Sequence, residues 1–438
     1  MTSLLAILAF LLPFERIGSF DVGGVNVRPS QIILFIALAA TTLLVLRGDA
    51  RKRLAEVLAR RETLAWALFL GVLVLSLVHA ENRSRSLLIL IFVAFTSTQV
   101  LVLPTWLRSA RDFLRVRWAI LTSATLVAAF GLWQFVGDMA GAPVWLTGLR
   151  PQYTKVILGF TRVQSTSLEP LYFADYLILP MALIVAWLLA RGGRKAPKPL
   201  WILLALIFID LALTSSRGGY AGAAAALLAL AWFHRDRWAS IKRLASILAL
   251  SVVGIVVALG LVGSFITVTP GTTLGRFVAH VTTVTDGAAV VERLNTFSSG
   301  FAAFRSSPWL GIGIGGYGPF VATYARVEPD SGWPIVNNEP IELLAETGIV
   351  GLAFFLAFLV AVFVVTKNPP ALRASSLFKG GEGGVDPDLK AIRLGTLAAL
   401  IGMLVQYQTF STLYVMHIWF TIGLLLAVSR YRLPKVVA

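Results

Sequence analysis

The sequence contains no cysteine, so neither a disulfide framework nor a thiolate metal site can be built from it. Charge is also scarce, since Asp, Glu, Lys and Arg make up 14% of the 438 residues against 57% hydrophobic ones. So few charges cannot cover a soluble globular surface. Alternating strand patterns of the kind a membrane barrel needs are missing, as are internal repeats and inverted pairs of broken helices. The glycine-rich run from Trp309 to Gly318 lacks a preceding strand and a following Lys-Ser or Lys-Thr pair, which excludes a nucleotide-binding loop. The first apolar run, Ser3 to Phe14, has neither a basic flank nor a small-residue cleavage site and reads as a retained short helix.

What the chain does have is apolar sequence in long runs, with a mean hydropathy of +0.80. Runs of roughly 17 or more such residues cross a hydrocarbon core of about 30 Å as helices, and helices leave no backbone polar group open in lipid. The expected fold is an all-α polytopic membrane protein of about twelve transmembrane helices, at 3–14, 31–46, 63–80, 87–104, 118–136, 169–190, 200–214, 220–233, 244–268, 340–366, 394–410 and 412–428. Residues 1–268 would then hold spans one to nine. A large external loop, periplasmic or extracellular and carrying amphipathic helices, would follow at 269–339. Residues 340–438 would hold spans ten to twelve, with a cytoplasmic loop at 367–393.

One set of loops between these spans carries 26 of the 38 Lys and Arg residues, and the longer opposite set carries 12. The positive-inside rule places the basic loops and both termini in the cytoplasm. The net charge of +16 is thus read as topological rather than as a nucleic-acid surface, with Arg51, Lys52, Arg53, Arg60 and Arg61 as anchors at anionic headgroups. Lys379 to Val385 reads as a flexible linker, and Asp386-Pro387-Asp388 as a helix start rather than a metal-binding pair.

Function is to be sought in the external segments 137–168 and 269–339, since the second is too long and too rich in glycine and aromatics for a connector. Arg217 lies in Thr214-Ser215-Ser216-Arg217-Gly218-Gly219-Tyr220, between two apolar runs. That short turn suits an anion cradle, and a snorkelling arginine in an ordinary hairpin is the equal alternative. Phe297, Phe301 and Phe304 recur at helical spacing, which predicts an amphipathic helix over 290–305 on the outer membrane face, with Arg293 on its polar side. Glu339, Glu342 and Glu346 enter the tenth span, where the helix dipole alone would explain the first two. Glu169, Asp175 and Asp210 lie at or within spans, where an ionisable side chain is by default functional and partnered. For Asp175 and Asp210 a structural partner inside the bundle is the equal alternative.

Three segments together resemble the O-antigen ligase and O-antigen polymerase superfamily of bacterial membrane glycosyltransferases, which also includes protein O-oligosaccharyltransferases. They are Ser215-Ser216-Arg217-Gly218-Gly219, Glu292-Arg293-Leu294 through Trp309-Leu310-Gly311-Ile312-Gly313, and Asn338-Glu339 through Glu346-Thr347-Gly348-Ile349-Val350-Gly351. The pattern spans about 190 to 430, and the N-terminal half agrees only in span count and in Ser167-Leu168-Glu169-Pro170. The resemblance implies a GT-C-like fold in the bacterial inner membrane with its active site on the periplasmic face. It implies an undecaprenyl-diphosphate-linked glycan as donor, an acceptor glycan or lipid, inversion at the anomeric carbon, and no cofactor or metal. It implies Arg217 and Arg293 as diphosphate ligands and catalytic residues, beside Ser215 and Ser216, with Arg276 and Arg305 in second rank.

The same family usually has a His-Asn pair where this chain has Asn337-Asn338. Asn is no general base, so either positioning and electrostatics carry the step, with a carboxylate such as Glu339 taking the proton, or the chain is an altered or inactive form. His79, His234, His280 and His417 do not obviously substitute. Glu169, Tyr317, Trp333 and Glu346 complete the expected substrate contacts, and Trp309 and Tyr324 either stack on sugars or anchor the loop. A polymerase extending a lipid-linked glycan is favoured slightly over a ligase acting on lipid A core. A polysaccharide or lipid transporter is the rival of another class, and it would carry charges along a central path rather than at external span ends.

Overall fold

The computed structural model describes residues 1–22, 25–150, 161–191, 197–235, 242, 288–329, 332–367, 386–411 and 413–431. Helix dominates them, and a short antiparallel hairpin of β1 (Phe20–Val22) and β2 (Val25–Val27) is the exception. The helices are α1 (Thr2–Leu11), α2 (Pro29–Leu46), α3 (Arg51–Leu58), α4 (Arg61–Ser76), α5 (Arg83–Ser97), α6 (Gln99–Trp106), α7 (Ala110–Met139) and α8 (Val144–Thr147). They continue with α9 (Pro170–Ala190), α10 (Lys198–Leu213), α11 (Arg217–Phe233), α12 (Ala288–Ser306), α13 (Tyr317–Val321), α14 (Glu339–Lys367), α15 (Pro387–Gln406) and α16 (Met416–Arg430).

Six helical stretches among the described residues are long and apolar enough to cross a bilayer, and α1 and α16 are apolar but shorter. Helices occupy eleven of the twelve stretches expected as spans, and the ninth, 244–268, lies outside the described residues. The chain is therefore an all-α membrane protein. Its starts are written locally: Ser109 and Asp112 form a capping box on α7, and Asp386 caps α15 by accepting from the Asp388 amide at 2.8 Å, with Pro387 at the first helical position.

The centre of the bundle is α9, buried on nearly all sides, packed with α11 and α15. Small residues bring their backbones together: a Cβ at Gly222 would stand 2.7 Å from the Gly402 carbonyl oxygen, and one at Gly402 would meet that of Gly222 just as closely. Gly218 and Gly222 have the spacing by which membrane helices pair closely without polar contacts. Around this core α14 packs on α4, α16 on α6, α10 and α1 on α7, and α12 on α14.

Contacts between helix ends sort into two groups. At one end Glu15 accepts from the Leu168 amide (3.0 Å) and Arg28 (2.9 Å), Asn82 donates to the Ala325 carbonyl (3.0 Å), and Arg85 donates to that of Gly315 (2.8 Å). At the other, Asp388 meets Arg117 (3.2 Å), Arg191 (3.0 Å) and the indole of Trp187 (2.7 Å), and Glu62 takes both nitrogens offered by Arg430. Asp388 is drawn below the ordinary carboxylate range: burial acts against this, and Arg117, Trp187 and Arg191 outweigh it.

Candidate functional site

Among the described residues, three that are not glycine hold a left-handed backbone: Ser165 (φ 50°), Ser215 (φ 50°) and Asn337 (φ 61°). Such conformations cost of order 1–3 kcal/mol and persist where the surroundings over-determine them. All three lie at the end of the bundle that carries Glu15 and Arg85.

Ser215 sits in the turn between α10 and α11. Ser216 caps α11, its Oγ accepting from the Gly219 amide at 3.1 Å. This makes the half-buried Arg217 the first residue of α11. A Cβ at Gly218 would overlap the Thr409 side chain, so the turn after α15 lies directly against this helix start. The same turn holds the segment before α14. The Asn338 amide donates to Ser411 Oγ (2.8 Å), its Nδ2 to the Gln408 carbonyl (3.1 Å), and the Glu339 amide to the Tyr407 carbonyl (2.9 Å). Asn338 Oδ1 in turn accepts from the Ile341 amide (3.0 Å) and caps α14. Glu339 is buried. Asn337 is half-buried, and among the described residues its side-chain amide makes no hydrogen bond. Asn is among the few residues that accept its backbone angle readily.

The expected amphipathic helix is α12, which leaves Val291, Leu294 and Phe301 exposed at helical spacing. One turn after Arg293, Thr296 Oγ1 donates to the carbonyl of Val336 (2.9 Å), the residue before Asn337. Arg162 approaches from the segment before α9: its Nε donates to the Thr214 carbonyl (2.8 Å), and the Val163 amide to that of Leu213 (3.1 Å). Burial holds the Arg162 guanidinium below the usual arginine range; Tyr220 and Glu169 act against this, and the charge of Arg293 adds to it. Arg162 is thus near both Glu169 and Arg293. Sequence reasoning passed over it, although it is one of only 12 basic residues outside the basic loops, and that scarcity was the available signal.

The glycine-rich run is docked on α14. Glu346 accepts from the amides of Gly315 (2.8 Å) and Tyr317 (3.1 Å), while its own carbonyl takes the Gly313 amide (2.9 Å). The two chains cross at Gly311 and at Gly348, where α14 kinks (φ 66°, ψ −171°); a Cβ at either would overlap the opposing backbone. Arg85 lies with its guanidinium 5.0 Å from the centre of the Trp333 ring. Tyr317 is buried, its hydroxyl donating to the Thr296 carbonyl at 3.2 Å. Burial, then the nearby Glu342, push that hydroxyl up to about 12. Beside it a groove of about 510 Å³ runs between α12 and α13, lined by Asn295, Thr296, Ser299, Tyr317 and Pro334 among others.

The structure therefore gathers Arg217, Ser215, Ser216, Asn337, Asn338, Glu339, Arg293 and Glu169 through shared neighbours; behind them Glu346 of α14 holds the glycine-rich run with Tyr317, and Trp333 lies against Arg85. Arg305 is exposed and twelve residues beyond Arg293 on the same helix, a separation of about 18 Å. Arg276 and His280 lie outside the described residues. Trp309 (72% exposed) and Tyr324 (70%) face outward. Of the other histidines, His79 contacts the Gly311 carbonyl (3.1 Å) and Ser307 (3.2 Å), His234 ends α11 at the opposite end, and His417 is paired with Asp175 inside the bundle. Asp210 is buried against Gly131, and neither carboxylate oxygen has a hydrogen-bond partner among the described residues.

Guanidiniums, a capped helix start and a buried carboxylate gather at one bundle end, and groups of these kinds bind anions and accept protons. Residues 200–356 match the family model described as O-antigen ligase, a stretch holding Ser215 to Arg217, Arg293 and Asn337 to Glu346. No curated protein matches the chain.

Proposed function

We propose, from the match of residues 200–356 to the family model described as O-antigen ligase, that the chain is an inverting membrane glycosyltransferase drawing its glycan from an undecaprenyl diphosphate. The observation that carries this reading is Arg162, tied to the Thr214 carbonyl at the head of the Ser-Ser-Arg turn and close to the charge of Arg293. A single diphosphate spanning that region would offset the mutual repulsion of these arginines.

In the proposed step an acceptor hydroxyl attacks the anomeric carbon from the face opposite the diphosphate. The new carbon–oxygen bond forms as the bond to the diphosphate breaks, and the diphosphate leaves with the electron pair. Arg217, Arg293 and Arg162 stabilise the charge that develops on it, aided by the Ser215 and Ser216 hydroxyls. Glu339 receives the hydroxyl proton. Asn337 orients the acceptor with its amide, and Asn338, occupied by its backbone partners, fixes the segment. The groove beside Tyr317 would seat acceptor sugars. The site end is placed on the periplasmic face of the inner membrane, because the 26 basic residues are assigned to the other side.

For the acceptor we take a second lipid-linked glycan, which makes the protein a polymerase. The test is transfer by purified protein from a polyprenyl-diphosphate oligosaccharide, offered either the lipid-linked repeat or lipid A core. A ladder with the first supports polymerisation and a single shift with the second supports ligation. No transfer to either, with transport of the donor across vesicles instead, overturns the enzyme.

A further inference from the structure

At the opposite end of the bundle, α4, α6 and α16 leave a cavity of about 470 Å³ lined by Glu56, Arg60, Leu107, Arg108, Arg430 and Tyr431 among others. That volume is in the range of small-ligand sites. Three guanidiniums face it, and their surroundings differ. Arg430 is neutralised by the buried Glu62, which accepts from its Nε at 3.0 Å and from its Nη2 at 2.8 Å. Arg108 is turned to the exposed Glu56 (3.0 Å) and to the carbonyls of Thr105 (3.1 Å) and Arg53 (3.3 Å). The Arg60 guanidinium has no hydrogen-bonded or ion-paired partner among the described residues.

Arg60 is also half-buried. Burial lowers its proton affinity first, Glu62 and Glu56 offset part of this, and the charges of Arg430 and Arg108 lower it further. An arginine does not escape such a site by losing its proton; a bound anion is the remaining relief. Arg53, stacked on Trp106 at 5.6 Å, adds positive charge nearby. The cavity sits where α4 begins and α16 ends, at one end of the apolar helices.

We propose that this cavity binds a phosphate-bearing anion, with Arg60 as its principal ligand and Arg108 as the second. The chemistry is shared by an anionic phospholipid headgroup and by free phosphate, and the experiment separates them. It uses the full chain in detergent and reads retained lipid by native mass spectrometry and thermal unfolding. The probes are phosphatidylglycerol, phosphatidylcholine and inorganic phosphate.

Since the Arg60 side chain holds no protein group, Arg60→Ala should melt with the parent when no probe is added. Phosphatidylglycerol affinity should fall about tenfold in Arg60→Ala and partly recover in Arg60→Lys, which keeps the charge but loses the fork. Arg326→Ala, at the other end of the bundle, should bind as the parent does. Binding of phosphatidylglycerol alone identifies a headgroup, and its competition by phosphate identifies a free anion. If Arg60→Ala binds both probes as the parent does, or the parent does not distinguish phosphatidylglycerol from phosphatidylcholine and ignores phosphate, the site is refuted.

Discussion

His417 Nε2 lies 2.6 Å from Oδ2 of Asp175, and neither side chain reaches solvent. The pair joins α9 to α16 close beneath the site, with the Tyr176 ring edge-on to the imidazole. Breaking a buried pair by removing one member leaves the other uncompensated and typically costs about 3–5 kcal/mol. His417→Leu should therefore lower thermal stability sharply in detergent, and adding Asp175→Asn should restore most of it. If the pair serves only the frame, the double variant regains transfer activity together with its melting temperature.

Arg162→Ala and Arg217→Ala should each reduce transfer about 10²–10³-fold, the usual effect of deleting one donor to a developing anion. Arg305→Ala should be close to neutral, given its position on α12. Initial rates with a lipid-linked donor distinguish the two classes. An unchanged rate in Arg162→Ala would remove it from the diphosphate site.

Asn337→His should fold normally, because histidine shares the tolerance of asparagine for a left-handed backbone. Transfer should be preserved or increased, by up to roughly 10²–10⁴-fold where imidazole acts as base. The sign is specific: neutral imidazole is the base, so the added activity should rise with pH through about 6.5, a dependence the parent lacks. Asn337→Val, which cannot accept this backbone without strain, should instead destabilise by about 1–3 kcal/mol. Melting curves and a pH–rate profile check both.

Gly348→Ala and Gly311→Ala place a methyl group where the glycine-rich run and α14 cross. Each should cost stability and loosen the loop, and Glu346→Ala should do the same by freeing the amides of Gly315 and Tyr317. Limited proteolysis within 308–318, rising in all three, is the readout. Protection equal to the parent in Glu346→Ala would show that its carboxylate does not hold the loop.

Much of the architecture was legible because membrane helices announce themselves by length and apolarity, as in α2, α7 and α14. The amphipathic α12 was readable from Phe297, Phe301 and Phe304, and the α15 start from Asp386 and Pro387. Arg217 and Arg293 stood out because polar residues beside spans are few, and Asn337 because the family that the chain resembles usually has a His-Asn pair there. Arg162 did not, since its place depends on a chain reversal that pairs 162–163 with 213–214, and no periodicity encodes that. The Asp175–His417 contact joins residues 242 apart; a partner inside the bundle was one of two readings of Asp175, but no local pattern pointed to His417. The bonds of Glu346 to a glycine-rich backbone were hidden for a different reason: amide partners leave no side-chain signature.

The backbone contact between Gly222 and Gly402 bears on what sets Arg217. Where helices meet through side chains, rotamers can relax and the helix can rock. Where two main chains touch, there is nothing soft between them. Arg217 opens a helix whose second turn is seated in this way, and the turn pressed against Gly218 leads on to Ser411, which holds Asn338. Arg217 and the segment at Asn338 are thus set relative to one another by main-chain contacts made as the chain folds.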